Sequence, residues 1–236
     1  MNRALLVIAK RPCAGRTKTR LSPPLTAAQS AQLYECFLRD TLDLARKLTE
    51  VRRFILFAPA NESAYFSALA PDFDLLAQSG HELGQRLDNA LTSCLKTGFK
   101  RVVVMNSDGP TLPPTYLRQA FVLLDQTEAV FGPADDGGYY LVGLTRPQPR
   151  LLREVQMSTP AVLQDTLALA NEDGVQVSLL PEWYDIDTIN DLRRLLSDMQ
   201  RLPDEVASHT RSFLRYLERQ GIFTDHNLEA ARNGAK

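Results

Sequence analysis

Hydrophobic residues occur along this chain in short continuous runs that alternate with longer amphipathic stretches. The runs at residues 4–9 and 102–105 contain no polar residue, which is typical of strands covered on both faces in a parallel sheet. Residues 26–48 instead repeat apolar side chains at the spacing of one helix face. Further strands are predicted at residues 54–57, 73–76, 129–131, 139–144 and 175–180, and further helices at residues 61–70, 85–96, 113–125, 158–170, 189–199 and 204–219.

This alternation, without a tight hairpin signal such as Asn-Gly, predicts an α/β fold with a mostly parallel central sheet flanked by helices. The length of 236 residues fits one such domain, which we place at residues 1–202, followed by a C-terminal helical extension at residues 203–236. The extension is amphipathic, so we expect it to pack on the domain or to form the interface of a homodimer.

The composition excludes several classes of protein. A net charge of −1 provides no broad basic surface for nucleic acid, and no apolar run approaches the roughly 18 residues of a membrane span. Cys13, Cys36 and Cys94 are odd in number and lack zinc-ligand spacing, which favours a reducing compartment. We therefore expect a cytoplasmic protein that binds neither nucleic acid nor membrane, and in which any anion site is local.

The strand at residues 102–105 runs into a turn that carries Asp108. Gly109 and Pro110 follow the aspartate and end the strand. In open α/β sheets ligands bind in the crevice beyond the carboxyl ends of the strands, so a carboxylate at this point is presented to the ligand. Asp108 is therefore the first candidate metal ligand.

A basic loop follows the first predicted strand and contains Gly15, Arg16, Lys18 and Arg20. Backbone N–H groups near a glycine, combined with cationic side chains, are a common way to hold phosphate. The loop has neither the Walker A nor the GxGxxG pattern, so a basic loop that is only solvated is an equal alternative. Arg86, in the first turn of another predicted helix, is a further phosphate ligand candidate, although simple exposure to water also explains it.

Four more aspartates stand near predicted strand ends. Asp135 and Asp136 precede two glycines and suit a simple hairpin turn, but their position at a strand end favours a role in catalysis. Asp185 and Asp187 follow the last predicted strand. Capping of the next helix by Asp187 or Thr188 explains Asp187 equally well, whereas Asp185 has no such structural role.

Five segments carry a family resemblance when they are taken together and in order: KRPCAGRTKTRL at 10–21, SDGP at 107–110, GPADDGGYYLVG at 132–143, STP at 158–160 and YDIDT at 184–188. They resemble the bacterial glycosyltransferase-like proteins of the nucleotide-diphospho-sugar transferase superfamily. These proteins are relatives of the 2-phospho-lactate and molybdenum-cofactor guanylyltransferases.

The resemblance implies a GT-A fold, in which a Rossmann-like sheet binds a nucleotide and a divalent metal. Asp108 then corresponds to the family's metal-binding aspartate, and Gly15, Lys18 and Arg20 correspond to its phosphate-contacting loop. Three residues replace the proline, cysteine and tryptophan that are common in the family: Ala14, Gly109 and Met157. None of these changes removes a charged group, but the change at Met157 affects the expected acceptor pocket.

The chemistry that fits this resemblance needs a hard cation, because bare carboxylates repel a nucleotide's phosphates. Asp108, together with Asp185, Asp187 or Asp135, offers the oxygen ligands that suit Mg²⁺ or Mn²⁺. Lys18 and Arg20 then neutralise the phosphates from the other side. A carboxylate such as Asp136 or Asp135 serves as general base on an acceptor.

Three hypotheses follow. The family resemblance favours glycosyl transfer from a nucleotide-diphospho-sugar, and this is the first expectation. The basic loop favours nucleotidyl transfer, because departing pyrophosphate needs more positive charge than a sugar donor does. The third hypothesis is a non-catalytic nucleotide-binding protein. In both enzyme hypotheses the partners are a nucleotide or nucleotide-sugar and a small-molecule acceptor.

Overall fold

The structure is a computed structural model that describes residues 2–223. Its strands are β1 (Arg3–Lys10), β2 (Arg52–Ala58), β3 (Asp74–Ala77), β4 (Arg101–Met105), β5 (Ala129–Pro133), β6 (Tyr139–Leu144) and β7 (Val177–Leu179). Its α-helices are α1 (Ala27–Arg46), α2 (Ser63–Leu69), α3 (Leu83–Lys96), α4 (Pro114–Leu123), α5 (Pro149–Arg153), α6 (Val162–Glu172), α7 (Ile189–Met199) and α8 (Ser208–Arg219).

The strands form one seven-stranded sheet in the order β3-β2-β1-β4-β6-β5-β7. Strand β6 is antiparallel to its neighbours β4 and β5, whereas the other neighbouring strands pair in parallel. Because β4 and β5 are each antiparallel to β6, they point the same way, and their carboxyl ends lie at the same edge of the sheet. The predicted α/β fold with a mostly parallel sheet is confirmed.

At residues 135–138 the structure shows the hairpin turn that the Asp-Gly signal allowed, while the catalytic role of Asp135 and Asp136 stays a prediction. Strands β5 and β6 form an antiparallel hairpin in which Ala129 pairs with Leu144 and Gly132 with Leu141, and the Asp-Asp-Gly-Gly segment is its loop. The turn signal was the correct local reading. What the sequence pattern did not indicate is that β6 returns to pair between β5 and β4, since this pairing is decided by contacts distant along the chain.

The continuous apolar runs are strands covered on both faces. Adjacent residues Leu5 and Leu6 of β1 are both fully buried, as are Val102 and Val103 of β4. Neighbouring side chains on a strand point to opposite faces, so burial of both requires a layer on each side of the sheet. On one face, Leu6 and Val102 belong to a core cluster that includes Leu91 of α3.

Internal contacts divide the chain into two compact units. In its described part, the first unit comprises residues 2–11, 44–107 and 112–184, and it contains the whole sheet with α2 to α6. The second unit comprises residues 12–43, 108–111 and 185–223, and it contains most of α1 together with α7 and α8. Residues 224–236 of the predicted extension lie outside the described residues, and the boundary predicted at residue 202 stays a prediction.

Local capping signals predicted two helix starts correctly. At α1, Thr26 Oγ1 accepts a hydrogen bond from the Gln29 N–H, while Gln29 Oε1 accepts one from the Thr26 N–H. At α7, Thr188 and Asp191 form the same reciprocal capping box. These side-chain hydrogen bonds satisfy N–H groups that have no partner inside the helix.

Two other helices begin later than the sequence predicts. Helix α6 begins at Val162 rather than residue 158, because Ser158 has a left-handed backbone with φ of 62°. Helix α8 begins at Ser208 rather than residue 204. The short helix α5 was not predicted. No helix within residues 2–223 has both the length and the apolar character needed to cross a bilayer.

Candidate active site

The basic loop of the second unit folds into a compact turn that presents Lys18. The N–H groups of Arg16 and Thr17 both donate to the Cys13 carbonyl oxygen, at 3.0 and 3.1 Å. The Cys13 N–H in turn donates to Thr17 Oγ1 at 3.0 Å, and Thr17 is buried. Gly15 lies inside this turn with φ of +76°, a left-handed conformation that glycine adopts without the usual penalty.

Lys18 itself has a left-handed backbone, with φ of 50° and ψ of 42°. This conformation is unfavourable for a residue with a side chain and is retained only where surrounding contacts enforce it. Here the contacts are ionic, since Lys18 Nζ lies 2.5 Å from Asp108 Oδ1 and 2.7 Å from Asp187 Oδ1. The loop therefore places one ammonium group between two of the predicted metal ligands.

A backbone hydrogen bond brings the two aspartates together. The Ile186 N–H donates to the carbonyl oxygen of Asp108 at 3.0 Å, which fixes the segment after β4 against the segment before α7. Ile186 is fully buried and anchors this contact. Asp187 follows Ile186 directly, so this hydrogen bond places it near Asp108 independently of the lysine.

The structure distinguishes between the two interpretations of Asp187, as a cap of the next helix or as a metal ligand. Thr188 and Asp191 form the cap of α7, and Asp191 Oδ2 accepts from the backbone N–H groups of both Thr188 and Asp187. Asp187 therefore does not provide the capping side chain. Its carboxylate accepts from Lys18 instead.

The electrostatics of the site favour a charged lysine. Burial on its own lowers the pKa of the Lys18 ammonium, but the charges and hydrogen bonds of Asp108 and Asp187 outweigh it, so the pKa lies above its ordinary value. The Lys18 side chain is 5% exposed, whereas those of Asp108 and Asp187 are 33% and 48% exposed. The cation is enclosed, while both carboxylates remain accessible to a ligand.

The donor set fits a hard divalent cation. Asp108 and Asp187 already direct one oxygen each at a single cationic atom, and carboxylate oxygens are the ligands that Mg²⁺ and Mn²⁺ prefer. Asp185, the third predicted ligand, lies two residues before Asp187 and is partly exposed. The roles of all three as metal ligands stay predictions.

A second acidic group in this unit meets a simple geometric criterion for a metal site. Among residues 2–223, Asp40, Asp43 and His209 form the one trio whose ligand atoms lie within 4.8 Å of one another. Asp40, however, accepts hydrogen bonds from the backbone N–H groups of His209 and Thr210, at 2.9 and 2.8 Å. Its carboxylate caps helix α8 from outside that helix, a role for which sequence spacing gave no signal because Asp40 lies on α1.

The other predicted cations lie in different surroundings. Arg16 and Arg20 are exposed residues of the loop that carries Lys18. Arg86, in the first unit, donates from Nε to the Gly80 carbonyl at 3.0 Å and from its guanidinium to the His81 carbonyl at 3.1 Å. Arg86 therefore braces the loop before α3, and its predicted contact with phosphate stays a prediction.

The two predicted general bases lie in the hairpin loop of the first unit, where both are exposed. Asp136 Oδ1 accepts from the Gly138 N–H at 2.9 Å, and the Asp135 N–H donates to the Trp183 carbonyl at 3.1 Å. Gly137 has φ of +87°, and a Cβ at this position would lie 2.0 Å from the Pro160 carbonyl oxygen. Only glycine fits there, so this backbone conformation of the loop depends on Gly137.

Phe37 was not singled out as a site residue by its pattern. Its sequence signal is that of an apolar position on α1, and it is fully buried. The Lys18 ammonium lies 5.9 Å from the centre of its ring, at the outer range of a cation–π contact. Phe37 thus lies beside the enclosed lysine.

Comparison with known proteins assigns the chain to a family. Residues 41–159, about half of the chain, match the family described as "Uncharacterized protein conserved in bacteria (DUF2064)". The chain belongs to this family. A candidate nucleotide-diphospho-sugar transferase from Desulfovibrio desulfuricans G20 is 30% identical, with 98% of each chain covered and a TM-score of 0.87. The resemblance to the nucleotide-diphospho-sugar transferase superfamily is confirmed.

Two further relatives extend the comparison. The 2-phospho-L-lactate guanylyltransferase of Methanobrevibacter smithii is 30% identical over 122 residues, which are 51% of this chain and 53% of that protein. The chain thus spans about half the length of the curated relative that it matches. Rv0371c of Mycobacterium tuberculosis H37Rv, in complex with manganese, shares the fold at 20% identity, with 84% of this chain and 99% of that chain covered and a TM-score of 0.50. The first of these relatives bears the name of a transferase.

Proposed function

We propose that this protein is a divalent-metal-dependent nucleotidyltransferase that releases pyrophosphate from a nucleoside triphosphate. The observation that carries the proposal is the convergence of Lys18, Asp108 and Asp187, which places an enclosed cation next to two accessible carboxylates. Nucleotidyl transfer needs both kinds of group, since the metal ligands and the phosphate-binding cation act on the same polyphosphate. The 30% identity to a guanylyltransferase supports this reaction and suggests GTP as the donor to test first.

In this proposal Asp108 and Asp187 hold the metal, with Asp185 as a third ligand. When bound, the metal neutralises charge on the triphosphate and on the departing pyrophosphate. Gly15 and the turn around it offer backbone N–H groups to phosphate oxygens, and Lys18, Arg16 and Arg20 supply positive charge. An acceptor oxygen attacks the α-phosphorus, a new P–O bond forms, and the bond to the bridging oxygen breaks with its electron pair leaving on pyrophosphate.

A general base is needed only if the attacking oxygen of the acceptor carries a proton. If the acceptor is a hydroxyl group, its proton passes to a carboxylate, for which Asp136 and Asp135 are the candidates. If the acceptor is a phosphate, as the name of the guanylyltransferase relative suggests, its oxygens are already largely ionised near pH 7 and no base is required. Arg86 stays a candidate phosphate ligand.

Glycosyl transfer is the second candidate. It is favoured by the relative from Desulfovibrio desulfuricans, whose name indicates a nucleotide-diphospho-sugar and which matches 98% of this chain. The same metal ligands serve this reaction, since the leaving nucleoside diphosphate also carries two phosphates. The two reactions differ in the product that departs, which provides a direct test.

The test is to incubate the protein with Mn²⁺, each nucleoside triphosphate or nucleotide-sugar in turn, and a panel of acceptors that begins with 2-phospho-L-lactate. Release of pyrophosphate, with transfer of the nucleotide to the acceptor, is the expected result. Release of nucleoside diphosphate from a nucleotide-sugar contradicts the proposal and favours glycosyl transfer.

Binding without turnover is measured in parallel by the thermal shift that each nucleotide produces with Mn²⁺ and with EDTA. A metal-dependent shift without product for any donor and acceptor supports the non-catalytic alternative. Absence of both product and shift contradicts every nucleotide-based function for this chain.

A further inference from the structure

The Lys18 ammonium group lies between the carboxylates of Asp108 and Asp187, which is where we expect a metal ion to bind. Its Nζ atom lies 2.5 Å from one carboxylate oxygen and 2.7 Å from the other, so it satisfies both acids with a single charge. Its side chain is almost fully enclosed. In this arrangement the ammonium group offsets one of the two negative charges before any metal arrives.

A divalent ion and this ammonium group compete for the same two carboxylates. Two cations held by one pair of acids repel each other strongly at such distances, especially where one of them is shielded from water. Binding of the metal through Asp108 and Asp187 is therefore weakened for as long as Lys18 keeps both of its ion pairs.

The lysine has another partner available when a nucleotide binds. Lys18 belongs to the same turn as Gly15, which is the predicted phosphate-binding turn, so a phosphate held there lies close to the base of its side chain. A lysine side chain is long and flexible, with three donors on its terminal nitrogen, and it binds phosphate readily. Phosphate oxygens can thus replace the carboxylates as its acceptors.

We propose that Lys18 is a displaceable counter-ion, which pairs with Asp108 and Asp187 in the free protein and moves to a nucleotide phosphate so that the metal takes its place. This inference rests on the proposed function and adds an order of events to it. Metal binding is weak in the free protein and becomes strong only with nucleotide. The lysine thus weakens metal binding by these acids until the substrate is present.

The first experiment measures Mn²⁺ affinity by isothermal titration calorimetry in the absence of nucleotide. The variant Lys18→Met removes the charge and keeps the length and the apolar stem of the side chain. We expect it to bind Mn²⁺ at least about tenfold more tightly than the unmodified protein, because the competing ammonium charge is absent. Equal or weaker Mn²⁺ binding by Lys18→Met overturns the inference.

Two controls make this comparison specific. Lys96→Met, an exposed lysine in the last turn of α3, produces the same change in net charge and is expected to leave Mn²⁺ affinity unchanged. The double variant Lys18→Met with Asp108→Asn is expected to lose the gain in affinity. A gain that persists without Asp108 overturns the inference, because the metal is then bound elsewhere.

A second lysine variant covers the case in which Lys18→Met does not fold. Lys18→Gly suits the left-handed backbone at this position, which relieves strain while removing the ammonium group. It is expected to show the same gain in Mn²⁺ affinity. Circular dichroism with and without Mn²⁺ establishes that the compared proteins are folded.

The second experiment measures GTP binding in EDTA, where no metal contributes. Transfer of Lys18 to phosphate predicts that Lys18→Met weakens GTP at least about fivefold, since one charged hydrogen bond is lost. If Lys18→Met binds GTP as tightly as the unmodified protein, the proposed movement of Lys18 to a phosphate is wrong.

Failure of this inference is distinguishable from failure of the proposed function. If the unmodified protein transfers nucleotide but Lys18→Met gains no Mn²⁺ affinity, only the counter-ion role fails. If neither protein binds Mn²⁺ with or without GTP, the metal site itself fails, and the proposed function fails with it.

Discussion

The Lys18–Asp108–Asp187 group and the Asp40–Asp43–His209 group lie in the same compact unit, and each holds carboxylates close to a basic side chain. Their partners differ. Asp40 accepts from two backbone N–H groups of α8, and it is 5% exposed. Asp108 and Asp187 share the ammonium group of a side chain and are far more exposed. The hydrogen bonds from the backbone N–H groups to Asp40 are lost only when α8 moves. The ammonium group of a lysine side chain, in contrast, can exchange one carboxylate or phosphate partner for another.

We expect the metal at the Lys18–Asp108–Asp187 group, and not at the trio that meets the distance criterion. The trio that satisfies the distance criterion uses its central carboxylate to cap a helix, and such hydrogen bonds are part of the fold. The candidate active site is marked instead by accessible acids, an enclosed cation and a left-handed lysine. Strained backbone and convergent charge are features that occur more often at functional sites.

The largest effect is expected from Asp108→Asn, which tests whether the Lys18–Asp108–Asp187 group is the active site. The substitution keeps the shape of the side chain but removes the charge that binds the metal, so we expect the transfer rate to fall by at least about a thousandfold. The Mn²⁺-dependent thermal shift should disappear as well. Pyrophosphate release is the measurement, with the exposed α6 residue in Asp165→Asn as control. A variant that keeps a tenth of the activity contradicts the assignment.

The reactivity of the Cys36 thiol is a measure of the environment of the Asp40–Asp43–His209 group, which we call the capping group. Burial, followed by the charges of Asp40 and Glu35, raises its pKa to about 12. A raised thiol pKa means that the thiolate forms only as pH rises towards that value, so near pH 8 roughly one Cys36 in ten thousand is ionised. We expect iodoacetamide near pH 8 to label the exposed Cys13 at least about a hundredfold faster, as measured by peptide mass spectrometry.

The control for this labelling is Cys13→Ser, which should remove the fast phase. Labelling of Cys36 should accelerate in Asp40→Asn, because loss of the neighbouring charge lowers the thiol pKa. Equal labelling rates for Cys13 and Cys36 contradict the enclosed, negative environment of the capping group.

Asp40→Ala tests the cap through stability. It removes the acceptor of two backbone N–H groups at the start of α8, so the free energy of unfolding should fall by about 1–3 kcal/mol. Chemical denaturation measures this change. Asp43→Ala is the matched control within the same group, because its partly exposed pair with His209 contributes at most about 1 kcal/mol. Equal losses in the two variants would show that Asp40 does not act as a cap.

The smallest expected effect concerns Mn²⁺ binding by the capping group. His209→Ala and Asp43→Ala should each change Mn²⁺ affinity, measured with GTP present, by less than about twofold, because Asp40 is committed to the backbone. Loss of Mn²⁺ binding in His209→Ala would reverse the comparison and move the metal to this group.

Elements whose signals lie within a few residues were predicted well. The capping boxes at Thr26 and Thr188, the buried runs of β1 and β4 and the parallel character of the sheet all follow from local patterns. The starts of α6 and α8 were wrong, since Ser158 takes a left-handed backbone and α8 receives its cap from Asp40, which precedes it by about 170 residues. The spacing of residues near α8 cannot indicate that Asp40, which is so distant in sequence, provides its cap.

Residue chemistry alone placed Asp108, Asp187 and Lys18 in a larger set of candidates. The other charged members of that set were Arg16, Arg20, Arg86, Asp135, Asp136 and Asp185. Residue chemistry did not indicate that the lysine lies between the two acids, and it left Asp187 as an equal candidate for capping. The tertiary structure decided both points, because the backbone bond from Ile186 to Asp108 brings together segments about eighty residues apart. Charge and donor type are properties of each residue, but which charges meet depends on how distant segments pair, and only the folded chain determines that.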